Sequence, residues 1–227
     1  MSRLNVLYED NHLIVVVKEP NILSQSDITG DIDMLTLIKD YLKEKYHKPG
    51  NVYLGLVHRL DRVVGGVMVF AKTSKSASRL SASIRSNTFS KEYLAVCHGK
   101  VKEKDTFIDY LKKQNDYSTI VTDKDHGKLS ELSYELLSYD ENKDLSLVKV
   151  NLKTGRHHQI RVQFSSRGYP LVGDNRYGFD NNKEIGLFAY KLSFPHPITK
   201  EIISFSYIPL NSPFNYFDLS SVKNLDI

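Results

Sequence analysis

The sequence predicts an α+β protein with a largely antiparallel sheet. Two observations favour this class: short apolar strand patterns mixed with amphipathic helix patterns, and an order that lacks strict βαβ alternation. The chain has 227 residues, of which 41% are hydrophobic, and this is enough for one sizeable core. No linker-like stretch or internal repeat divides it, so we predict a single domain over residues 1–227.

The first half of the chain predicts buried strands and two helices. The segments "HLIVVVK", "GGVMVFAKT" and "KEYLAVCHG" are short apolar runs rich in β-branched residues, a pattern typical of buried strands. One helix is predicted where Leu35, Ile38 and Leu42 recur at helical spacing. The other helix begins at "SKSASRL", with Ser74 as its expected N-cap.

The second half of the chain predicts two antiparallel strand pairs. The segments "ELSYELLSYD" and "LSLVKVNLKTG" form one pair, and in the second of them apolar and polar residues alternate. The segments "FAYKLSFPHP" and "ISFSYIPL" form the other pair, with "ITKE" near the turn. The polar residues 100–128 are predicted to be an excursion over the surface, with room for short strands.

The composition says more about the cellular location of the protein than about its binding partner. The 31 Lys+Arg exceed the 27 Asp+Glu, and the formal net charge of +4 is weak support for a nucleic-acid partner. The single cysteine, Cys97, excludes an intramolecular disulfide and lies among apolar residues, as a buried structural thiol does. Because the first residues lack a signal-peptide pattern, we expect a soluble cytoplasmic protein without membrane association.

The first segment that could carry chemistry is "HRLDR", within "GLVHRLDRVVGGVMVFAKT". It places Asp61 between Arg59 and Arg62, directly before a predicted buried strand. A guanidinium facing a partly buried carboxylate favours the ionised form, which suits a nucleophile or a general base. The alternative is a structural ion pair that braces the loop.

The second segment is "KTGRHHQIRVQFSSRGYPLVGDNRYG". We predict a helix that Thr154 caps and that runs to Gly168. On such a helix His157 and Arg161 lie four residues apart and share a face, so Arg161 could point into a cleft. A strand is the competing interpretation, because apolar residues also alternate from Ile160 onward.

The neighbouring pair His157-His158 raises the hypothesis of a metal site. Adjacent side chains diverge on a helix and point to opposite faces of a strand, so they do not readily chelate one ion. The sequence offers no further ligand at helical spacing. We therefore predict no metal here.

The third segment is "SKEYLAVCHG", in which Tyr93 lies in the middle of a predicted strand. A tyrosine there is commonly a core residue, but its ring can also stack on a base and its hydroxyl can transfer a proton. Arginines and tyrosines together suit an unstacked base. The basic and tyrosine residues near the three segments are Arg59, Arg62, Lys72, Lys91, Arg156, Arg161, Arg167, Arg176, Tyr93, Tyr169 and Tyr177.

The three segments, in this order and followed by "LSFPHPITKEIISFSYIP", resemble the RluA family of RNA pseudouridine synthases. The resemblance covers nearly the whole chain, about residues 4–209. It implies an enzyme that isomerises chosen uridines in ribosomal or transfer RNA to pseudouridine, with no cofactor and no metal. It also implies a bent, mixed, mostly antiparallel sheet flanked by helices.

The resemblance assigns five site residues. Asp61 matches the nucleophilic aspartate of the "HRLD" motif, and Tyr93 matches the "KxY" tyrosine that stacks on the uracil and could accept the C5 proton. Arg161 matches the arginine that pairs with the catalytic carboxylate, and Ile160 matches an apolar wall of the uracil pocket. Arg62 matches a position that can fill the gap left by a flipped base.

Two segments depart from the family pattern. The chain has Val-Val-Gly-Gly at residues 63–66, where the family commonly has Asp/Glu-Thr-Ser-Gly, and Asn-Arg at residues 175–176, where Pro-Leu or Pro-Arg is more usual. The residues before His58 belong to the predicted catalytic fold, so we expect no N-terminal S4-type domain. RNA selection would then depend on the catalytic domain, with residues 100–128 as a candidate contact region. Nothing suggests a large self-association surface, which favours a monomer.

Two other functions compete with the isomerase. A non-catalytic RNA-binding protein on the same fold would lack one of Asp61, Tyr93 and Arg161, and all three are present, although the altered residues 63–66 keep this alternative open. A hydrolase that pairs Asp61 with His58 would need a second carboxylate at a matched distance, and no motif supplies one.

Overall fold

The computed structural model describes residues 4–179 and 184–223 and confirms the α+β class. In chain order the strands are β1 (Asn5–Glu9), β2 (Leu13–Lys18), β3 (Gly55–Leu56), β4 (Gly65–Ala71), β5 (Ser90–His98), β6 (Lys104–Lys113), β7 (Thr119–Thr122), β8 (Lys128–Asp140), β9 (Leu145–Leu152), β10 (Leu187–Pro195) and β11 (Ile202–Ser206). The helices are α1 (Met34–Tyr46), α2 (Ser74–Arg85), α3 (Gln159–Ser165) and the short α4 (Ser220–Lys223), with a 3₁₀ turn at Phe214–Tyr216.

The chain divides into two compact units. The first comprises Met1–Ser90 and Lys191–Tyr207, and the second comprises Lys91–Tyr190 and Ile208–Ile227. The single domain expected over residues 1–227 stays a prediction. No helix within the described ranges is long and apolar enough to span a membrane.

The first unit contains antiparallel strand pairs built on two of the expected buried strands. β2 pairs with β1 and with β4, β3 pairs with β4, and β11 pairs with β10 as expected for the last hairpin. Every residue of β2 and β4 is buried. The register places Lys18 opposite Gly66, so the end of β2 lies beside the start of β4.

The two helices of the first unit form where the sequence predicts them, with small corrections. Helix α1 buries Met34, Ile38 and Leu42, whereas the expected Leu35 is only half-buried. The expectation that Ser74 caps α2 is wrong by one residue. Thr73 is the N-cap because its side chain, in extended backbone, accepts a hydrogen bond from the N–H of Ser76.

The second unit is an antiparallel sheet in the order β5, β9, β8, β6, β7. The predicted pairing of β8 with β9 is confirmed. Residues 100–128 are less irregular than expected, because β6 and β7 form a hairpin whose longer strand pairs with β8 along eight residues. Lys104, Lys112 and Lys113 of β6 are exposed, whereas the side chain of Asp109 is largely buried and pairs with Arg167.

Helix α3 forms as predicted, but it begins later in the chain than predicted. It starts at Gln159 rather than after Thr154, because His158 takes a left-handed backbone conformation with φ 52°. Thr154 instead hydrogen-bonds the N–H of Glu131 and the side chain of Gln159, which anchors the loop before α3 to β8. His157 therefore lies outside the helix and does not share a face with Arg161. Gly168, with φ 83°, ends the following turn as expected.

Candidate active site

The loop between β3 and β4 carries Asp61, and its backbone is fixed on both sides of this residue. Before it, the buried hydroxyl of Ser24 donates to the carbonyl of Leu60 at 2.8 Å and accepts from the N–H of Leu60 at 3.1 Å. After it, the N–H of Val64 donates to the carbonyl of Asp61 at 3.0 Å and closes a tight turn. The Val-Val-Gly-Gly departure is thus compatible with an ordered turn at Asp61.

Lys18, at the end of β2, holds the same loop from a second direction. Its ammonium donates to the carbonyls of Glu19 at 3.1 Å, Ile22 at 2.6 Å and Arg62 at 2.9 Å. The N–H of Asn21 also donates to the carbonyl of Arg62, at 2.8 Å. Residues 18–24 therefore hold the backbone of both neighbours of Asp61.

The ammonium of Lys18 is in an unusual electrostatic environment. The residue is fully buried, and this burial lowers its pKa to about 7, although the nearby charge of Asp61 raises it and partly offsets the effect. Lys18 is not among the predicted site residues, because in the sequence it resembles the polar end of an apolar strand. The available signal in the sequence was a lysine directly after the five apolar residues 13–17.

Arg62 and His58 differ sharply in exposure. Arg62 forms a 2.8 Å ion pair with Asp31, and both side chains are about half exposed, at 45% and 46%. Such a pair contributes little, so Arg62 can leave it at small cost. His58 is buried, and its Nε2 accepts a hydrogen bond from the N–H of Val69 at 3.1 Å. That nitrogen is occupied by a structural contact, which weakens the hydrolase hypothesis.

In the second unit, Tyr93 lies on the sheet face that α3 covers. Tyr93 is opposite Val150 on β9, which is opposite Tyr134 on β8, so these three side chains share one face. The ring of Tyr134 packs against Phe164 of α3, with centroids 5.3 Å apart. Tyr93 is buried, with 7% of its surface exposed.

Helix α3 carries Ile160 and Arg161, and Arg161 is fixed by Asp174. The Arg161 Nε donates to one carboxylate oxygen of Asp174 at 2.8 Å and its Nη2 donates to the other at 2.7 Å. Both residues are buried, and Ile160 beside them is 4% exposed. The parallel pair of hydrogen bonds fixes the plane of the guanidinium.

Asp174 is itself held as an anion. Burial alone would raise its pKa, but the hydrogen bonds and charge of Arg161 outweigh this, together with the N–H groups of Arg176 and Tyr177, so the pKa is lowered. The turn before it requires glycine, since Gly173 has φ 70° and a Cβ there would overlap the carbonyl oxygen of Glu184. The segment "GDNRYG" by itself does not indicate a role for Asp174.

The rings of His157 and His158 stack on each other. Their ring centroids are 3.7 Å apart. The Nδ1 of His157 is 3.0 Å from the Thr119 hydroxyl, and the Nδ1 of His158 is 2.8 Å from the Tyr177 hydroxyl. Across the part of the chain that the structure describes, no group of three or more His, Cys, Asp or Glu is arranged to hold a metal ion.

The expected site residues fall into two groups. Asp61 and Arg62 belong to the first unit, while Tyr93, Ile160 and Arg161 belong to the second. The second group is assembled by strand β5 and helix α3 on one sheet face. The pairing of Arg161 with Asp61 stays a prediction.

A family model described as RNA pseudouridylate synthase matches residues 12–166, which include both the Asp61 loop and the start of α3. The chain belongs to this family. It is therefore an RNA pseudouridine synthase, an isomerase acting on RNA, as the resemblance to the RluA family predicted.

Several relatives of this pseudouridine synthase are similar over most of the chain. The uncharacterised RNA pseudouridine synthase YjbO of Bacillus subtilis is 34% identical, over 89% of this chain and 71% of the relative. The ribosomal large subunit pseudouridine synthase D of Haemophilus influenzae is 29% identical, over 93% of this chain and 68% of the relative.

Solved structures share the fold of the synthase. The human RNA pseudouridylate synthase domain containing 4 superposes with a TM-score of 0.76 at 20% identity, over 93% of this chain and 90% of that one. The human domain containing 1 gives a TM-score of 0.73 at 21% identity, over 93% and 85% of the two chains. The agreement supports the α+β fold.

Proposed function

We propose that this synthase isomerises specific uridines in structured ribosomal or transfer RNA, with Asp61 as the nucleophile. The observation that carries the proposal is the fixed loop around Asp61. Ser24 holds the residue before it and Lys18 holds the residue after it, so the carboxylate is presented from a rigid backbone. Rigid presentation is what a positioned nucleophile needs, because small displacements from the attack geometry slow a reaction strongly.

The reaction that we propose breaks the bond between N1 of uracil and C1′ of ribose and forms a bond between C5 and C1′. Asp61 forms a transient bond with the sugar or with the ring while the base turns over, and this bond breaks again so that the free carboxylate is regenerated. The proton on C5 is then lost and N1 gains one, so the product is an isomer and no oxidant or reductant is consumed. This balance agrees with the expected absence of a cofactor.

The second-unit residues supply the remaining roles. The buried ring of Tyr93 offers a stacking surface for uracil, and its hydroxyl is the candidate base for the C5 proton. Ile160 provides an apolar wall beside Arg161. Arg161, orientated by Asp174, is the proposed partner of the catalytic carboxylate, as the resemblance to the family implies.

Arg62 is proposed to replace the flipped base in the RNA stack. Its guanidinium is exposed and tied only to the exposed Asp31 among the ion pairs of the described residues. A planar guanidinium stacks on base faces, so leaving Asp31 for RNA is a favourable exchange.

Ribosomal RNA is the substrate to test first, with transfer RNA as the second. Relatives from Haemophilus influenzae and from Buchnera aphidicola are named ribosomal large subunit pseudouridine synthases D and C. The identity to them, 29% and 32%, supports a shared chemistry more strongly than a shared target. The two RNA classes are therefore separate arms of the experiment.

The test is tritium release from unmodified ribosomal and transfer RNA labelled at uracil C5. We expect the wild type to release tritium from one class and Asp61→Asn to release none. Asp40→Asn is the matched control, because Asp40 is an exposed residue of α1 in the same unit. It should retain the wild-type rate.

Release by Asp61→Asn at the wild-type rate would refute the nucleophile assignment. If a folded wild type still binds RNA but releases tritium from neither RNA class, this substrate choice is refuted. That second result would favour the non-catalytic RNA-binding alternative.

A further inference from the structure

Lys91 lies on the same strand as Tyr93 and is not used by the mechanism above. Side chains two residues apart on a strand point to the same face, so the bases of the two side chains are about 7 Å apart. Lys91 is half-buried, and this burial lowers the pKa of its ammonium. It is a cation at the edge of the candidate uracil pocket.

In the part of the chain that the structure describes, the ammonium of Lys91 forms no ion pair with a carboxylate. Within residues 4–179 and 184–223, no hydrogen bond or ion pair is found for this group, whereas the ammoniums of Lys45 and Lys72 both bind Glu9. Partial burial of a cation without a counterion costs free energy. Such an arrangement is typical of a group that receives its counterion from a ligand.

The space around this ammonium is kept open by a glycine. A Cβ at Gly155 would lie 3.1 Å from the Lys91 Nζ. The charged neighbours of Gly155 point elsewhere: Lys153 pairs with Glu131, and the Nε of Arg156 donates to the carbonyl of Leu129. Lys91, on β5, is therefore the cation beside the loop before α3 that is available to bind a ligand.

We propose that the ammonium of Lys91 binds a backbone phosphate of the RNA strand, next to the nucleotide whose base stacks on Tyr93. The proposal rests on the proposed function, since it takes the uracil to lie on Tyr93. An ammonium is a compact donor that suits a phosphate oxygen, and RNA brings the negative charge that the protein does not supply here. The contact would fix the backbone on one side of the flipped nucleotide.

The test measures RNA binding as a function of salt, with Asp61→Asn as the parent so that no turnover occurs. Each phosphate contact that is lost lowers the slope of log affinity against log salt by about 0.7 for a single strand. We expect Lys91→Met, which keeps the apolar stem, to reduce the slope by this amount. The matched control Lys75→Met, at an exposed position on α2, should leave it unchanged.

Gly155→Ala provides a second, independent variant. Its new methyl group would crowd the flexible end of Lys91 and not the backbone, so the fold should be retained. We expect weaker binding that is not additive with Lys91→Met, because both changes remove the same contact. Thermal unfolding of each variant reports whether the fold is intact.

An unchanged salt slope in folded Lys91→Met would overturn the phosphate contact, even if activity fell. This result is separable from failure of the proposed function. If Asp61 proves not to be needed for tritium release but the Lys91-dependent slope is present, the phosphate contact stands and the nucleophile assignment fails. If release needs Asp61 but the slope does not depend on Lys91, the nucleophile assignment stands and the phosphate contact fails.

Discussion

Asp174 shows how one buried residue can determine the direction of another. Arg161 comes from a helix of only seven residues, and a long side chain on so short an element has many rotamers available. Its two hydrogen bonds to Asp174 select one of them. The turn at Gly173 and the N–H groups of Arg176 and Tyr177 place the carboxylate where this selection is possible.

We expect Asp174→Asn to lower both activity and stability. The change replaces the carboxylate that binds both Nε and Nη2 of Arg161, and breaking such a buried pair costs about 3 kcal/mol of unfolding free energy. A displaced guanidinium should also slow isomerisation on the order of 10²-fold. Denaturant unfolding and tritium release measure the two effects.

Asp125→Asn is the matched control for this change, because Asp125 is exposed in the turn between β7 and β8. It should change neither the unfolding free energy nor the rate of tritium release. Full activity in Asp174→Asn would show that Asp174 does not orientate Arg161.

At the scale of elements, strand β2 contributes to the core and also helps to position the loop that carries Asp61. Its last residue, Lys18, joins the segment after β2 to the loop before β4 through three carbonyls. The antiparallel register with Gly66 brings the two segments together. The position of Asp61 is thus coupled to the pairing of β2 with β4.

Lys18 should make stability depend on pH. Its pKa is about 7 in the folded protein, below the ordinary lysine value of 10.5, so the unfolded chain binds more protons between these values. The unfolding free energy of the wild type should therefore rise with pH between about 7 and 10. Relative to Lys18→Met, we expect a rise on the order of 2 kcal/mol.

Denaturant titrations of both proteins at pH 6.5 and pH 9.5 measure this difference. Lys18→Met should be less stable at pH 9.5, because the neutral amine of Lys18 still offers two donors to the carbonyls around its Nζ and methionine offers none. Parallel pH profiles for the two proteins would contradict a depressed pKa at Lys18.

The local pattern of apolar and polar residues predicted which segments are helices and which are strands. It did not predict where these elements begin and end. The buried strands and the final hairpin follow apolar runs that have few alternatives. The start of α3 depends on contacts of Thr154 with β8 and on the left-handed His158, which no helix pattern reveals. The β6–β7 hairpin was underestimated because the charged Asp109 lies between the buried Phe107 and Leu111 on the covered face of β6, where it pairs with Arg167.

At the scale of the whole molecule, Cys97 lies in the core of the second unit and reports on its integrity. It is fully buried on β5, and this burial raises the pKa of its thiol to about 12. Only the thiolate reacts readily with disulfide reagents, so the folded protein should be inert. The expected buried structural cysteine is confirmed.

We expect labelling of Cys97 to occur through unfolding of the second unit. In native buffer the labelling rate should be roughly 10³-fold or more below that of the unfolded chain. Absorbance during reaction with an aromatic disulfide measures the rate as denaturant is added. It should rise in step with the loss of helix and strand signal.

Lys75→Cys in a Cys97→Ser background provides the exposed reference, because residue 75 is on the solvated face of α2. This variant should react rapidly in native buffer. Rapid labelling of Cys97 itself without denaturant would show that the second unit opens well below its unfolding transition.

The sequence by itself determined the fold class, the family and the five candidate residues Asp61, Arg62, Tyr93, Ile160 and Arg161, because local patterns and long ordered motifs are properties of the chain. The tertiary structure alone decided which groups support these residues. Lys18, Ser24 and Asp174 act across 44, 36 and 13 residues of chain, respectively. Hydrogen bonds over such separations depend on strand register and turn geometry, which sequence spacing does not encode.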